Sequence, residues 1–165
     1  MKATLKINDK EIEVEITEEQ LKKLEEKKPR KRWRALPGKT YWLLTAKGIN
    51  WGKDYEGKNE DWLYSMGNYF QTEGEAEFHK NELIYTQMLK DYIYEHDDVE
   101  LDWKDTSQPK WSIEYDAVEG EITLCVEHYR KAQGVIYASN KRVLEDAVDF
   151  IGEENVKKYI LKVEE

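Results

Sequence analysis

Residues 72–96 constrain the fold more than any other segment. Ala76, Leu83, Ile84, Met88, Tyr92 and Ile93 recur at the three- and four-residue spacing of an α-helix for about five turns. Thr72 can cap that helix, and Glu75 three residues on completes a capping box. On either side the period shortens to two. Residues 39–45 (KTYWLLT) read as a strand, Ala46-Lys47-Gly48 as a turn, 49–52 as a short partner strand, and Gly67-Asn68-Tyr69-Phe70 as a returning strand. Residues 110–115 (KWSIEY) and the alternating Ile122, Leu124 and Val126 predict a hairpin that turns at Val118-Glu119-Gly120. Residues 134–137 read as another strand. Ser139 or Asn140 then caps a helix bearing Val143, Leu144, Ala147, Val148 and Ile151. Gly152 stops it, because only glycine takes a left-handed backbone at low cost, and 153–161 read as a last short helix.

Ahead of these elements, Leu5 and Ile7 and then Ile12, Val14 and Ile16 alternate with polar neighbours around Asn8-Asp9-Lys10, the pattern of a β-hairpin. Thr17-Glu18-Glu19-Gln20 has capping-box spacing, so a short helix with Leu21 and Leu24 on one face follows. The predicted class is α+β: an N-terminal ββα unit followed by antiparallel β-hairpins, each packed with a helix. Its divisions are a small ββα unit at 1–28, a basic linker at 29–34, a hairpin, strand and long helix at 35–98, an acidic connection at 99–109, and a hairpin, strand and two helices at 110–165. The parts at 35–98 and 110–165 share an outline, a Trp-containing hairpin, a Gly-led strand, a polar cap and a helix. That outline fits either two similar β-meander–helix units or two ordinary strand–helix corners.

The chain has 165 residues, long enough for one domain, or one domain and an appendage, without a disulfide or metal staple. Its 26 Lys and Arg face 35 Asp and Glu, a formal charge of −9, which argues against a general nucleic-acid coat protein or polybasic membrane binder. Six Trp, eleven Tyr and three Phe argue against a disordered chain. The single Cys125 excludes an intramolecular disulfide and fits a reducing compartment. No apolar run approaches the roughly 18 residues of a membrane span, and the amino terminus lacks a signal-peptide core. A cytoplasmic protein is expected.

Charge is segregated along the chain. Lys27, Lys28, Arg30, Lys31, Arg32 and Arg34 put six basic residues into the eight positions 27–34; setting them aside takes the remainder from −9 to −15. With Trp33 among them they have the composition of a phosphate-tracking, base-stacking arm, or of a solvated linker whose Trp33 docks on the following domain. Between 91 and 105, seven acids, Asp91, Glu95, Asp97, Asp98, Glu100, Asp102 and Asp105, face Lys104 alone. Such a stripe can imitate the phosphates of a nucleic acid against a basic groove, with Trp103 as an anchor, or be a solvated helix end and loop.

Three motifs read as chemically empty. The stretch 52–59 (GKDYEGKN) nearly spells a phosphate-binding loop, but Asn59 lacks the magnesium-holding hydroxyl, Asp54 and Glu56 are negative where a triphosphate would sit, and no periodic helix is expected after Lys58. His79 and Glu82 have metal-compatible spacing without further ligands, and Cys125 and His128 project to opposite faces of one strand. Neither catalytic residues, nor a metal, nor a cofactor is expected.

Three stretches carry a likeness. They are Arg32-Trp33-Arg34-Ala35-Leu36-Pro37-Gly38-Lys39-Thr40-Tyr41-Trp42; Gly67-Asn68-Tyr69-Phe70-Gln71-Thr72 with Glu75-Ala76-Glu77; and Gln133-Gly134-Val135-Ile136-Tyr137-Ala138-Ser139 through Glu153-Glu154-Asn155-Val156-Lys157-Lys158-Tyr159. In these the chain resembles a family of small accessory proteins carried by phages and prophages of Firmicutes. The resemblance implies a phage-borne protein acting in a bacterial cytoplasm. Small acidic phage proteins without catalytic motifs are often inhibitors of host defence, among them the anti-CRISPR proteins, and no inhibitory residues transfer. The expected function is therefore a non-enzymatic inhibitor that binds an RNA-guided nuclease of type II, the acidic stripe entering its basic channel and the basic arm touching guide RNA. The alternatives are an RNA- or DNA-binding accessory module led by the arm, an enzyme acting on a nucleotide signal, and a sponge for such a signal.

Overall fold

The computed structural model describes residues 2–7, 10–15, 17 and 32–163. They fall into two compact units that divide between Trp33 and Arg34. The first contains the predicted hairpin, β1 (Lys2–Ile7) against β2 (Lys10–Glu15), antiparallel in a register from Lys2↔Glu15 to Ile7↔Lys10. The helix expected after Thr17 lies outside the described residues, as do Lys27, Lys28, Arg30 and Lys31.

The second unit uses one plan twice. β3 (Thr40–Thr45) and β4 (Gly48–Lys53) pair antiparallel with Trp42 opposite Trp51. After α1 (Lys58–Ser65), Phe70 returns to the other side of β3 and bridges Trp42 through two backbone hydrogen bonds of 2.9 Å. Two residues later Thr72 caps α2 (Glu73–His96): its hydroxyl accepts the Glu75 N–H at 3.1 Å while the Glu75 carboxylate accepts the Thr72 N–H. In the second half β5 (Lys110–Asp116) pairs with β6 (Glu121–Glu127), and β7 (Tyr137–Ala138) returns on the other side of β5 with Ala138 opposite Trp111. Two residues after Ala138, Asn140 caps α3 (Lys141–Ile151) by accepting the Arg142 N–H at 2.9 Å. Both halves place the first hairpin strand in the centre and set its tryptophan against the returning segment.

The secondary structure of the second unit departs from the sequence reading at four places. The returning strand at 67–70 shrinks to one bridge, because Gly67 turns at φ +81° and the Asn68 side chain replaces a strand residue, accepting the Leu44 N–H at 2.7 Å and donating to its carbonyl at 2.9 Å. The strand expected at 134–137 moves to 137–138, since Gly134 also sits at φ +81°. A helix does open at Lys58, against expectation. Only Leu63 of α1 is buried while Trp62 and Met66 are exposed, so the sequence shows no periodic face there. The last helix becomes α4 (Glu153–Asn155) running into a π-helical turn at Val156–Ile160, whose wider loop lets the Leu161 N–H reach the Val156 carbonyl at 2.9 Å.

The aliphatic core joins the sheet β6–β5–β7 to three helical pieces. Ile113 and Ala138 from the strands meet Leu89 of α2, Leu144, Ala147 and Ile151 of α3, and Val156. The predicted α3 face is buried here, whereas of the face predicted for α2 only Met88, Tyr92 and Ile93 pack against this core; Leu83 and Ile84 are exposed, and Leu89 takes the buried position. This core sets where the acidic connection between α2 and β5 must run.

Candidate functional site: the acidic connection

The connection starts where α2 ends. Asp97 is half-buried, and its two carboxylate oxygens accept the Ser139 N–H at 2.6 Å and the Ser139 hydroxyl at 2.5 Å. Ser139 therefore ties the end of α2 to the start of α3, which leaves the capping role to Asn140. Further along, the Asp102 N–H donates to the Gln108 side-chain oxygen at 2.7 Å, and the Gln108 amide donates to the Glu100 carbonyl at 2.9 Å. The Asp102 carboxylate accepts the Lys104 N–H at 2.8 Å. Asp105 accepts the Ser107 hydroxyl at 2.6 Å and its N–H at 2.8 Å, which holds its carboxyl below the ordinary value.

Lys110 fastens the far end. It opens β5 with no exposed surface, and its ammonium donates to the carbonyls of Asp105 at 2.6 Å, Gln108 at 2.9 Å and His128 at 3.3 Å. Carbonyl dipoles take the place of a carboxylate partner around this buried charge. Trp103 closes the cage: its ring centroid is 5.5 Å from the Lys110 ammonium and packs edge-on to Tyr137 at 4.9 Å. Lys131 approaches the same ring to 5.5 Å. Trp103 is thus a packed lid on Lys110 rather than the protruding anchor suggested by its polar neighbours.

The seven acids divide accordingly. Asp97, Asp102 and Asp105 shape the backbone, and Asp91 is exposed but accepts the Gln87 amide at 2.7 Å. Glu95, Asp98 and Glu100 are exposed, and their carboxylates meet no partner among the described residues.

The basic arm divides too. Arg34 belongs to the second unit: its guanidinium donates to Asp54 at 2.8 and 3.3 Å and to Asp61 at 2.7 Å. Asp54 is fully buried and also accepts the Tyr69 hydroxyl at 2.7 Å and the Glu56 N–H at 2.6 Å. The Arg34 guanidinium lowers the Asp54 carboxyl to about 2, and burial followed by Asp54 itself pushes the Tyr69 hydroxyl well up. Arg34 is therefore engaged inside the fold instead of serving a phosphate-binding arm. Of the arm's other described residues, Arg32 is exposed and Trp33 half-buried. Sequence reasoning missed this network because Asp54, Asp61 and Tyr69 lie 20, 27 and 35 positions from Arg34, with no local pattern to link them.

The remaining motifs resolve into local contacts. At the start of α1 a Cβ on Gly57 would lie 2.6 Å from the Glu60 carboxylate, so the helix entrance carries its own acid. His79 pairs with Glu82 at 3.3 Å and packs on Phe70 at 5.2 Å, and Lys162 takes the other Glu82 oxygen at 2.7 Å. Among the described residues no three His, Cys, Asp or Glu side chains are placed to hold a metal, and no helix is long and apolar enough to cross a membrane. Burial, with Glu114 beside it, pushes the Cys125 thiol up, the opposite of an activated nucleophile. No protein-family model, curated protein or solved structure matches this chain.

Proposed function

We propose that the chain is a phage-borne, non-enzymatic inhibitor of bacterial host defence that acts in the host cytoplasm by binding an RNA-guided nuclease of type II. The observation that supports this reading most is the state of Glu95, Asp98 and Glu100: exposed carboxylates without partners among the described residues, Glu95 on the last turn of α2 and the other two on a segment pinned at one end by Asp97 and at the other by Lys110. A fixed row of uncompensated negative charge suits a basic nucleic-acid channel, because ordering it costs little at the moment of binding. The alternative module that grips nucleic acid through 27–34 would have to work without Arg34.

The test is plasmid interference in cells carrying such a nuclease and a matching target. The wild-type protein rescues the targeted plasmid, and the variant Glu95→Lys/Asp98→Lys/Glu100→Lys does not. Asp97 is left alone, since replacing it would unfasten Ser139. Rescue that survives the triple reversal removes the acidic surface from the mechanism. Failure of the wild-type protein against several nuclease variants removes the target.

A further inference from the structure

We infer that the outer edge of β6 is a second docking surface, which takes an extended, basic peptide segment of a partner as an added strand. β6 is the terminal strand of the sheet β6–β5–β7, and among the described residues no strand pairs with its outer edge. A groove of about 560 Å³ runs beside it, lined by residues 121–124 of β6 on one side and by Lys141, Glu145, Val148 and Asp149 of α3 on the other. Successive residues of a strand project to opposite faces, so a groove touched by four in a row meets the strand along its edge, with backbone in its wall. In an antiparallel sheet every second residue of such an edge aims both its N–H and its carbonyl outward. A groove between an edge strand and a helix is the geometry in which an added strand gains main-chain hydrogen bonds while its alternate side chains find a pocket.

The lining chooses the occupant. Ile122, Leu124 and Val148 provide apolar surface, while Glu121, Glu145, Asp149 and Glu153 set four carboxylates against Lys141 alone. Two of these acids are already paired, Glu145 with Lys141 at 2.9 Å and Glu153 with Lys157 at 2.6 Å. Asp149 is exposed with no partner among the described residues, and Glu121 is exposed and makes no hydrogen bond or ion pair there, with Lys157 near enough to feel its charge. A segment alternating apolar with Lys or Arg side chains complements both features. A second copy of this chain does not: antiparallel pairing of two β6 strands about Leu124 would set Glu121 opposite Glu127 at both ends, and like charges directly opposite repel.

The experiment titrates the full chain with a fluorescent short peptide of alternating lysine and valine. Three controls accompany it: a glutamate–valine peptide, the lysine peptide N-methylated at alternate residues, and the protein variants Asp149→Lys and Glu121→Lys. Both substituted side chains are exposed, and either variant alone serves if the other misfolds. The lysine peptide is expected to bind, to shift the amide resonances of 121–127, and to weaken roughly tenfold on N-methylation and in either variant. The glutamate peptide is expected not to bind. The variant reversed at Glu95, Asp98 and Glu100 should retain the peptide, which separates this surface from the acidic connection. Absence of binding, equal binding of the methylated peptide, equal binding by both variants, or loss in the triple reversal would each overturn the inference.

Discussion

The two halves of the second unit share a chain path and differ in what occupies the same central place. In each, the residue before the bridging tryptophan is buried: Tyr41 before Trp42 is 3% exposed, and Lys110 before Trp111 is 0% exposed. Tyr41 stacks on Tyr69 at 4.1 Å, so close to β4 that a Cβ at Gly52 would lie 2.9 Å from its hydroxyl. Tyr69 in turn donates to Asp54, and Asp54 holds Arg34. Lys110 instead gathers backbone carbonyls, and the core beyond it is aliphatic. One topology is therefore held in one half by aromatic stacking and an ion network, and in the other by apolar burial with one caged cation. The lesson is that path and caps define the plan, and the interior chemistry can be exchanged beneath it.

That contrast can be broken at several strengths. The largest effect is expected for Leu144→Ala, which empties a fully buried site in the aliphatic half and should cost about 3 kcal/mol in denaturant melts. A cost under about 1 kcal/mol would mean that this half does not rest on burial. Next comes acid. Asp54 has its carboxyl lowered in the folded state, to about 2, so its stabilisation is complete above the ordinary carboxylate value and is lost as pH falls towards about 2. The loss should be on the order of 2 kcal/mol. Asp54→Asn should be less stable at neutral pH and flatter through that acid window, and an unchanged acid profile would exonerate the ion network.

Smaller still is Lys110→Met, which leaves three carbonyls without their donor. Amide exchange across 98–108 should speed up roughly tenfold while the β5–β6 ladder stays protected. Equal exchange in the variant would show that Asp97 and Gln108 hold the connection without it. The smallest pair of effects compares equivalent caps. Thr72→Ala and Asn140→Ala should each cost about 1 kcal/mol, with Thr72 the larger because its capping box is reciprocal. The reverse order would locate the firmer helix start in the second half.

Local rules made much of this legible. The capping box at Thr72 and Glu75, the alternation in 110–126 and the stop at Gly152, where φ is +89°, each declare themselves within a few residues. What stayed hidden depends on distant partners. Nothing near Asn68 indicates that its amide will stand in for a strand, and nothing near Lys110 indicates burial, since lysine seldom sits inside a fold. The same limit divides the acidic connection. A row of seven acids reads as uniform, while Ser139, Ser107 and the Lys104 amide decide which carboxylates are structural and which face solvent.

The Lys110 cage has a consequence for ionic strength. Its ammonium is held by carbonyl dipoles at 2.6 to 3.3 Å in a buried place, where mobile ions screen little. Glu95, Asp98 and Glu100 project into solvent, where any attraction to a basic partner weakens as the Debye length shrinks to about 3 Å at 1 M. Added salt should therefore weaken any such attraction long before it loosens the loop that carries Asp98 and Glu100.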